Sequence, residues 1–222
     1  MLLAAVVGSG IMGERLAGGN VAIALLANTI ATGAALVALI LTFGPISGAH
    51  FNPAVTLVEA ARRRLPWRHV PAYVAMQSVG AVAGVLVAHL MFAEPVLQLS
   101  THARSGSAQI LSEFVATFGL LSIIIGCTRR RDESVAIAVG LYITSAYWFT
   151  ASTSFANPAV TLARSFTSTF SGIQPSDVPG FVMAQIAGAL AASAVFQWLG
   201  HVAPESAQAG RQQAEVAGVR SP

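Results

Sequence analysis

The sequence predicts an all-α membrane protein with six transmembrane helices and two re-entrant half-helices arranged as an inverted repeat. Three observations carry this. Apolar residues make up 55% of the chain and charged residues only 9%, where a soluble domain carries about 25% charged. The hexapeptide Asn-Pro-Ala-Val-Thr-Leu occurs twice, from Asn52 to Leu57 and from Asn157 to Leu162. A second pattern, Gln77-x-x-Gly80-Ala81-x-x-Gly84, returns as Gln185-x-x-Gly188-Ala189-x-x-Ala192. Strict alternation of apolar and polar residues is absent, so a β-barrel is not supported.

The uncharged runs give the spans. The first, Met1 to about Met12, is short: twelve residues of helix cover about 18 Å, against about 30 Å of bilayer core. The chain is therefore expected to be truncated there, or to start upstream. A second span runs from about Asn20 to Phe43 and is expected to stop at Gly44-Pro45. The third is about Val70 to Phe92, the fourth about Ala108 to Cys127, the fifth about Ser134 to Thr150 and the sixth about Gly180 to Leu199. Loops are expected over 93–106 and 167–179. The channel domain is expected over residues 1–200, with repeats over 1–92 and 108–200, followed by a flexible tail over 201–222.

Between the spans stand the two hexapeptides. Each puts Asn at a helix N-cap and Pro at the first helical position, so each begins a helix inside apolar sequence, to about Ala61 and Phe166 respectively. Three spans per repeat is an odd number, so the second copy is inverted in the membrane, an architecture of transport proteins. Both short helices are about eleven residues, and two meeting by their N-termini cover one bilayer thickness. Irregular backbone at that depth is tolerated only inside protein or along a wet cavity. A central pore follows.

Charge sets the orientation. All twelve basic residues are Arg, and seven fall in two clusters, Arg62-Arg63-Arg64 with Arg68, and Arg129-Arg130-Arg131. With the N-terminus in the cytoplasm both clusters lie inside, as the positive-inside rule requires, and only Arg15, Arg104 and Arg164 lie outside. The net charge of +3 is thus a loop feature and not a nucleic-acid surface. The single Cys127 excludes an intrachain disulfide and a Cys metal cluster; it reads as a packing residue. No cleavable signal, catalytic constellation, phosphate loop or metal spacing is present, so neither an enzyme nor a cofactor or metal site is expected. Gly80 and Gly84 read as small-residue packing sites.

The motifs Ser47-Gly48-Ala49-His50-Phe51-Asn52-Pro53-Ala54 and Asn157-Pro158-Ala159, on a three-plus-three inverted repeat, resemble the aquaporin, or major intrinsic protein, family. The resemblance covers nearly all of the chain but the tail. It implies a homotetramer with one pore per protomer, multi-pass in a bacterial inner or plasma membrane, with both termini cytoplasmic. Asn52 and Asn157 are read either as caps holding the half-helices together or also as pore-lining amides. Both half-helix dipoles place positive charge beside them, which disfavours cations and leaves neutral solutes unopposed.

The family's selectivity filter, counted from each Asn, falls on Thr32, Ser145, Ser154 and Val160. The resemblance implies an Arg after the second Asn-Pro-Ala, and this chain has Val160. Aromatics are also missing from the four positions, so a wide, uncharged constriction is expected. A bacterial branch associated with arsenic resistance resembles this chain in replacing that Arg by a small apolar residue. Arsenite, a neutral trihydroxy species, is the expected permeant, with glycerol, water and methylated arsenicals as alternatives. A non-conducting structural membrane protein of the same fold is a further alternative.

Four more residues carry charge or a titratable ring near the expected path. Arg164, one turn beyond Val160 on the same face, reads as a displaced filter Arg or as an Arg capping the half-helix or snorkelling. Glu113, a carboxylate inside lipid, needs a partner; the resemblance implies that it braces the re-entrant loop, with a mate upstream of Met1. His50 reads as a pore-entrance residue or as a satisfied loop histidine. Glu59 is placed to cap or pair on the cytoplasmic side.

Overall fold

Both copies of the hexapeptide begin helices. In a computed structural model that describes residues 1–128 and 134–202, the chain forms α1 (Leu2–Leu16), α2 (Val21–Ser47), α3 (Pro53–Ala61), α4 (Val70–Phe92), α5 (Ser107–Thr128), α6 (Val135–Phe149), α7 (Pro158–Arg164) and α8 (Val178–Val202). Four of these elements, α2, α4, α5 and α8, are long and apolar enough to cross a membrane; α4 and α8 are each extended at the start by a 3-10 turn, Trp67–His69 and Pro175–Asp177. Helices α1 and α6 have 15 residues each. The half-helices α3 and α7 have 9 and 7 residues, so each rises only about 10–14 Å.

The packing follows the repeat. Helix α1 lies against α2 and α4, and α5 correspondingly lies against α6 and α8. Each half-helix packs on the last span of its own half and of the other: α3 on α4 and α8, α7 on α8 and α4. The two halves are therefore interleaved, and α2 against α6 closes the ring between them. Close approach is bought by small residues, since a Cβ at Gly140 would lie 2.8 Å from the Gly33 carbonyl oxygen. A Cβ at Gly188 would press on the Phe114 carbonyl and lie 3.0 Å from the Phe118 amide nitrogen, across the α5–α8 interface.

Several boundaries differ from the sequence reading, each for a physical reason. Helix α2 runs through Gly44-Pro45 to Ser47. Proline forfeits one hydrogen bond near the end of a helix; the stop is instead made at Gly48, whose φ of 74° is the left-handed cap conformation that glycine adopts without cost. Helix α7 ends at Arg164, two residues early, because the chain turns there and the Ser165 carbonyl accepts the Ser100 amide at 2.9 Å. Of the two glycines read as packing sites, Gly84 does lie against Leu3 and Ala4. Gly80 has no atom within 4 Å of an added Cβ; it opens onto an apolar groove of about 570 Å³ beside Leu39, Phe43 and Met76. The Arg129 to Arg131 cluster and the tail from residue 203 lie outside the described residues.

The glycine contacts give a stability test. Gly188→Val should lower the thermal unfolding midpoint of the detergent-solubilised protein, because overpacking costs about 1–3 kcal/mol, or roughly 2–12 °C at this size. Gly44→Ala, where an added Cβ meets nothing within 4 Å, should leave the midpoint unchanged or raise it. Equal shifts for the two variants would contradict the packing described.

Candidate functional site: a pore between crossed half-helices

The half-helix starts are built from short-range sequence and locked by long-range contacts. Asn52 and Asn157 are extended, with φ of −154° and −159°, as an N-cap requires. The Asn52 Oδ1 accepts the Ala54 amide at 2.9 Å, and the Asn157 Oδ1 accepts the Ala159 and Val160 amides at 3.0 and 3.2 Å. Pro53 and Pro158 take the first helical positions, where a missing N–H is harmless. The Asn52 Nδ2 then donates to the Ala156 carbonyl and the Asn157 Nδ2 to the Phe51 carbonyl, both at 2.8 Å. Each amide thus caps its own helix and holds the other loop. An Asn amide has two N–H donors, and one on each remains for the cavity that both residues line.

The loops pay for this geometry in backbone conformation. Ala49, Phe51, Thr153, Ser154 and Ala156 all have φ between 46° and 60°, a region that non-glycine residues enter at a cost of about 1–3 kcal/mol each. Something must over-determine them. For the second loop it is Glu113, wholly buried, whose Oε1 accepts the Phe155 amide and whose Oε2 accepts the Ala156 amide, both at 2.9 Å. The Gln185 Nε2 donates to the same carboxylate at 2.5 Å and to the Thr161 Oγ1 at 2.8 Å. In the first half Gln77 makes the matching bond to the Thr56 Oγ1 at 2.9 Å, and the Oε1 of each of the two glutamines has no partner among the described residues.

A cavity of about 350 Å³ runs past the crossed amides, from Arg164 and Ser154 at the mouth beside the end of α7 to Glu59, Arg64 and Thr128 at the mouth beside the end of α3. The spans line it by stripes one turn apart: Thr32, Leu36 and Ile40 on α2, Leu120, Ile124 and Thr128 on α5, and Val135, Val139, Ile143 and Tyr147 on α6. That i, i+4 spacing keeps each set on one helical face.

Three of the four expected filter residues, Thr32, Ser154 and Val160, line the cavity near the α7 mouth. Ser145 does not. It is exposed on the outside of the bundle and its Oγ donates to the Tyr142 carbonyl at 2.7 Å. The reason is helical phase: Ser145 stands two residues, about 200°, from the α6 stripe. On α6 it is Tyr147 that lines the cavity here, only 3% exposed, with its hydroxyl 3.4 Å from the Thr32 Oγ1. The mouth therefore does contain an aromatic. The i, i+4 run Val135, Val139, Ile143, Tyr147 was the sequence signal that could have found it.

Arg164 is not a snorkelling residue. It is 2% exposed and lines the cavity; its Nε donates to the Ser171 carbonyl, and its guanidinium carbon sits 3.4 Å from the centre of the Phe155 ring. The mouth is thus not uncharged. At the other end His50 lines the cavity, its Nδ1 3.1 Å from the Thr56 Oγ1 and its ring against Tyr73. Glu59 pairs with Arg62 at 3.2 Å and with Arg64 at 3.8 Å. His102, in the loop between α4 and α5, is held below the ordinary imidazole range, first by burial and then by the charges of Arg104 and Arg164. Among the described residues no group of three His, Cys, Asp or Glu side chains is placed to hold a metal ion.

A membrane-embedded path lined by half-helix N-termini and apolar stripes defines a channel for small neutral solutes. The chain belongs to the major intrinsic protein family, whose sequence profile matches residues 1–135 and 131–220. It is 60% identical over 199 residues to the aquaglyceroporin AqpS of Rhizobium meliloti (strain 1021), covering 90% of this chain and 85% of that one. It is 40% identical over 119 residues to aquaporin NIP1-1 of Oryza sativa subsp. japonica, where the match covers 51% of this chain and 42% of the relative. The fold is that of the aquaglyceroporin from Plasmodium falciparum, with a TM-score of 0.65 at 19% identity over 88% of this chain and 90% of that one.

The brace on the second loop is testable. Glu113→Gln puts an amide donor against one of two backbone donors and removes the charge that strengthens both bonds. Such a loss costs about 1.5–3 kcal/mol per bond, so the unfolding midpoint should fall more than for a lipid-facing substitution such as Leu111→Ala. A midpoint unchanged from the parent would show that the carboxylate does not hold the loop.

Proposed function

We propose that the channel passes uncharged trihydroxy solutes, arsenite first, through a mouth formed by Thr32, Tyr147, Ser154 and Val160. One observation carries this: the residue after the second Asn-Pro-Ala is Val160, which lines the cavity where the family resemblance implies an arginine. A short apolar side chain there leaves room for a solute wider than water. Thr32, Tyr147 and Ser154 line the same stretch, and the paired hydroxyls of Thr32 and Tyr147 can exchange hydrogen bonds with a solute that sheds its hydration. Undissociated arsenite has three hydroxyls and no charge to oppose the half-helix dipoles.

Glycerol is the second reading. Tyr147 and Arg164 favour it, because glycerol-type members combine an aromatic with an arginine at the filter. In this reading the protein works as a homotetramer with a pore in each protomer. Both termini are cytoplasmic, so that the α3 mouth faces the cytoplasm and the α7 mouth the outside. The unit is a single channel domain over residues 1–200, with repeats over 1–92 and 108–200.

Uptake of arsenite, glycerol and water by proteoliposomes of one preparation separates the readings. Arsenite permeability should exceed that of glycerol. Val160→Arg should cut arsenite uptake by about tenfold, the effect of roughly 1.4 kcal/mol on the barrier, while water is affected less. Arsenite uptake unchanged by the substitution would remove Val160 from the filter.

A further inference from the structure

We propose that Arg164 supplies the cation of the filter from one helical turn beyond its usual place, and that Phe155 and the loop at Ser171 hold it there. The proposal deepens the reading of the cavity as the solute path and rests on it.

Arg164 is among the largest fully buried side chains of the molecule, yet it lines the cavity. No carboxylate forms an ion pair with it among the described residues, where the ion pairs join Arg15 to Glu94, and Arg62 and Arg64 to Glu59. A buried guanidinium without a counter-ion is costly, so its position needs a reason. A purely structural arginine would have its donors engaged. The Nε of Arg164 is engaged, on the Ser171 carbonyl, and that bond alone would tether the end of α7 to the loop. Its Nη1 is buried and has no partner among the described residues.

The surroundings fix the guanidinium in place. Its carbon lies 3.4 Å from the centre of the Phe155 ring, within the range of a cation–π contact. Phe155 is itself buried against Phe181 in a T-shaped pair, with ring centres 5.3 Å apart. Arg104 lies 5.0 Å from the same ring. Unlike Arg164, it is largely engaged: its Nε donates to the Gly172 carbonyl at 2.8 Å and its Nη1 to the Ser152 carbonyl at 3.2 Å. The Arg164 Nη1 is thus a buried donor without a partner among the described residues, and no hydrogen bond engages its Nη2 there, so the guanidinium that lines the cavity keeps donors unspent. Ser154, which also lines the cavity, has a buried Oγ without a partner. Residues 160 and 164 share one face of α7, about 6 Å apart along its axis. The guanidinium that lines the cavity thus offers a passing hydroxylated solute a donor, and the fixed positive charge opposes cations.

The test uses the full chain in proteoliposomes. Arsenite and glycerol uptake are compared with water permeability, and proton leak is read with an entrapped pH dye. Arg164→Gln should lower the solute-to-water ratio and raise the proton leak, each by about tenfold. Returning the charge one turn inward, in the double variant V160R/R164Q, should restore the barrier to protons. A membrane-inserted R164Q protein with unchanged ratio and unchanged leak would overturn the proposal, as would a double variant that leaks like the single one. Should R164Q fail to insert, Arg164→Lys reads the same point, since it keeps the charge and loses the planar fork. It should hold protons back while the solute-to-water ratio falls about threefold, and an unaltered ratio would again overturn the proposal. A parent protein with no permeability above protein-free vesicles would sink the channel reading itself.

Discussion

Everything in this fold depends on satisfying backbone groups where the bilayer offers no water. Two helices that begin in mid-membrane expose unpaired N–H groups at their starts, and the loops leading to them expose carbonyls. The unsatisfied group in hydrocarbon costs several kcal/mol. The reciprocal bonds of Asn52 to the Ala156 carbonyl and Asn157 to the Phe51 carbonyl meet both needs with one residue type used twice. Each Asn oxygen caps its own helix and each Asn nitrogen binds the other loop. This is why the two half-helices cannot be considered apart: removing one leaves polar groups of the other unpaired.

The same crossing fixes the chemistry of the path. The N-terminal ends of α3 and α7 meet where the cavity passes, so partial positive charge faces the solute from both sides. The stripes on α2, α5 and α6 supply apolar walls over the rest of the length. A solute must shed most of its hydration against those walls, and the Asn amides, a few hydroxyl-bearing residues and Arg164 along the lining compensate. A neutral molecule meets no opposing field along this path, whereas a cation meets one at the centre. The fold thus selects by charge before any filter residue is considered.

Much of this was legible in the sequence because it is local. Asn followed by Pro predicts a helix start, and the repeat predicts a second one facing it. Glu113 inside an uncharged run predicts a partner, and the structure supplies the Phe155 and Ala156 amides. What failed was phase and distance. Counting residues from an Asn placed Ser145 in the filter, but the face that α6 turns inward is set by its packing on α2 and α5. The apolar i, i+4 run ending at Tyr147 recorded that face, whereas the count did not. Pro45 misled for a related reason: proline is tolerated in the last turn once Gly48 provides the cap. The burial of Arg164 depends on Phe155 and on Ser171, and no local pattern announces a contact between those segments.

The pairing of Val160 with Arg164 has a consequence for how width and charge are divided. An arginine at the narrowest ring both occupies the opening and charges it, so steric and electrostatic selection are coupled. With the filter proposed above, Val160 stands at the ring and the Arg164 guanidinium lies beyond it, over the Phe155 ring and tethered to Ser171. The opening is then set by three short side chains and Tyr147, while the charge acts from a fixed point nearby. Inside a low-dielectric wall a charge is felt over several ångströms, so the displacement weakens exclusion of cations far less than it relaxes exclusion by size. A channel built this way can admit broader neutral solutes without becoming a cation pore, because the property surrendered at residue 160 is bulk and the property kept at residue 164 is charge.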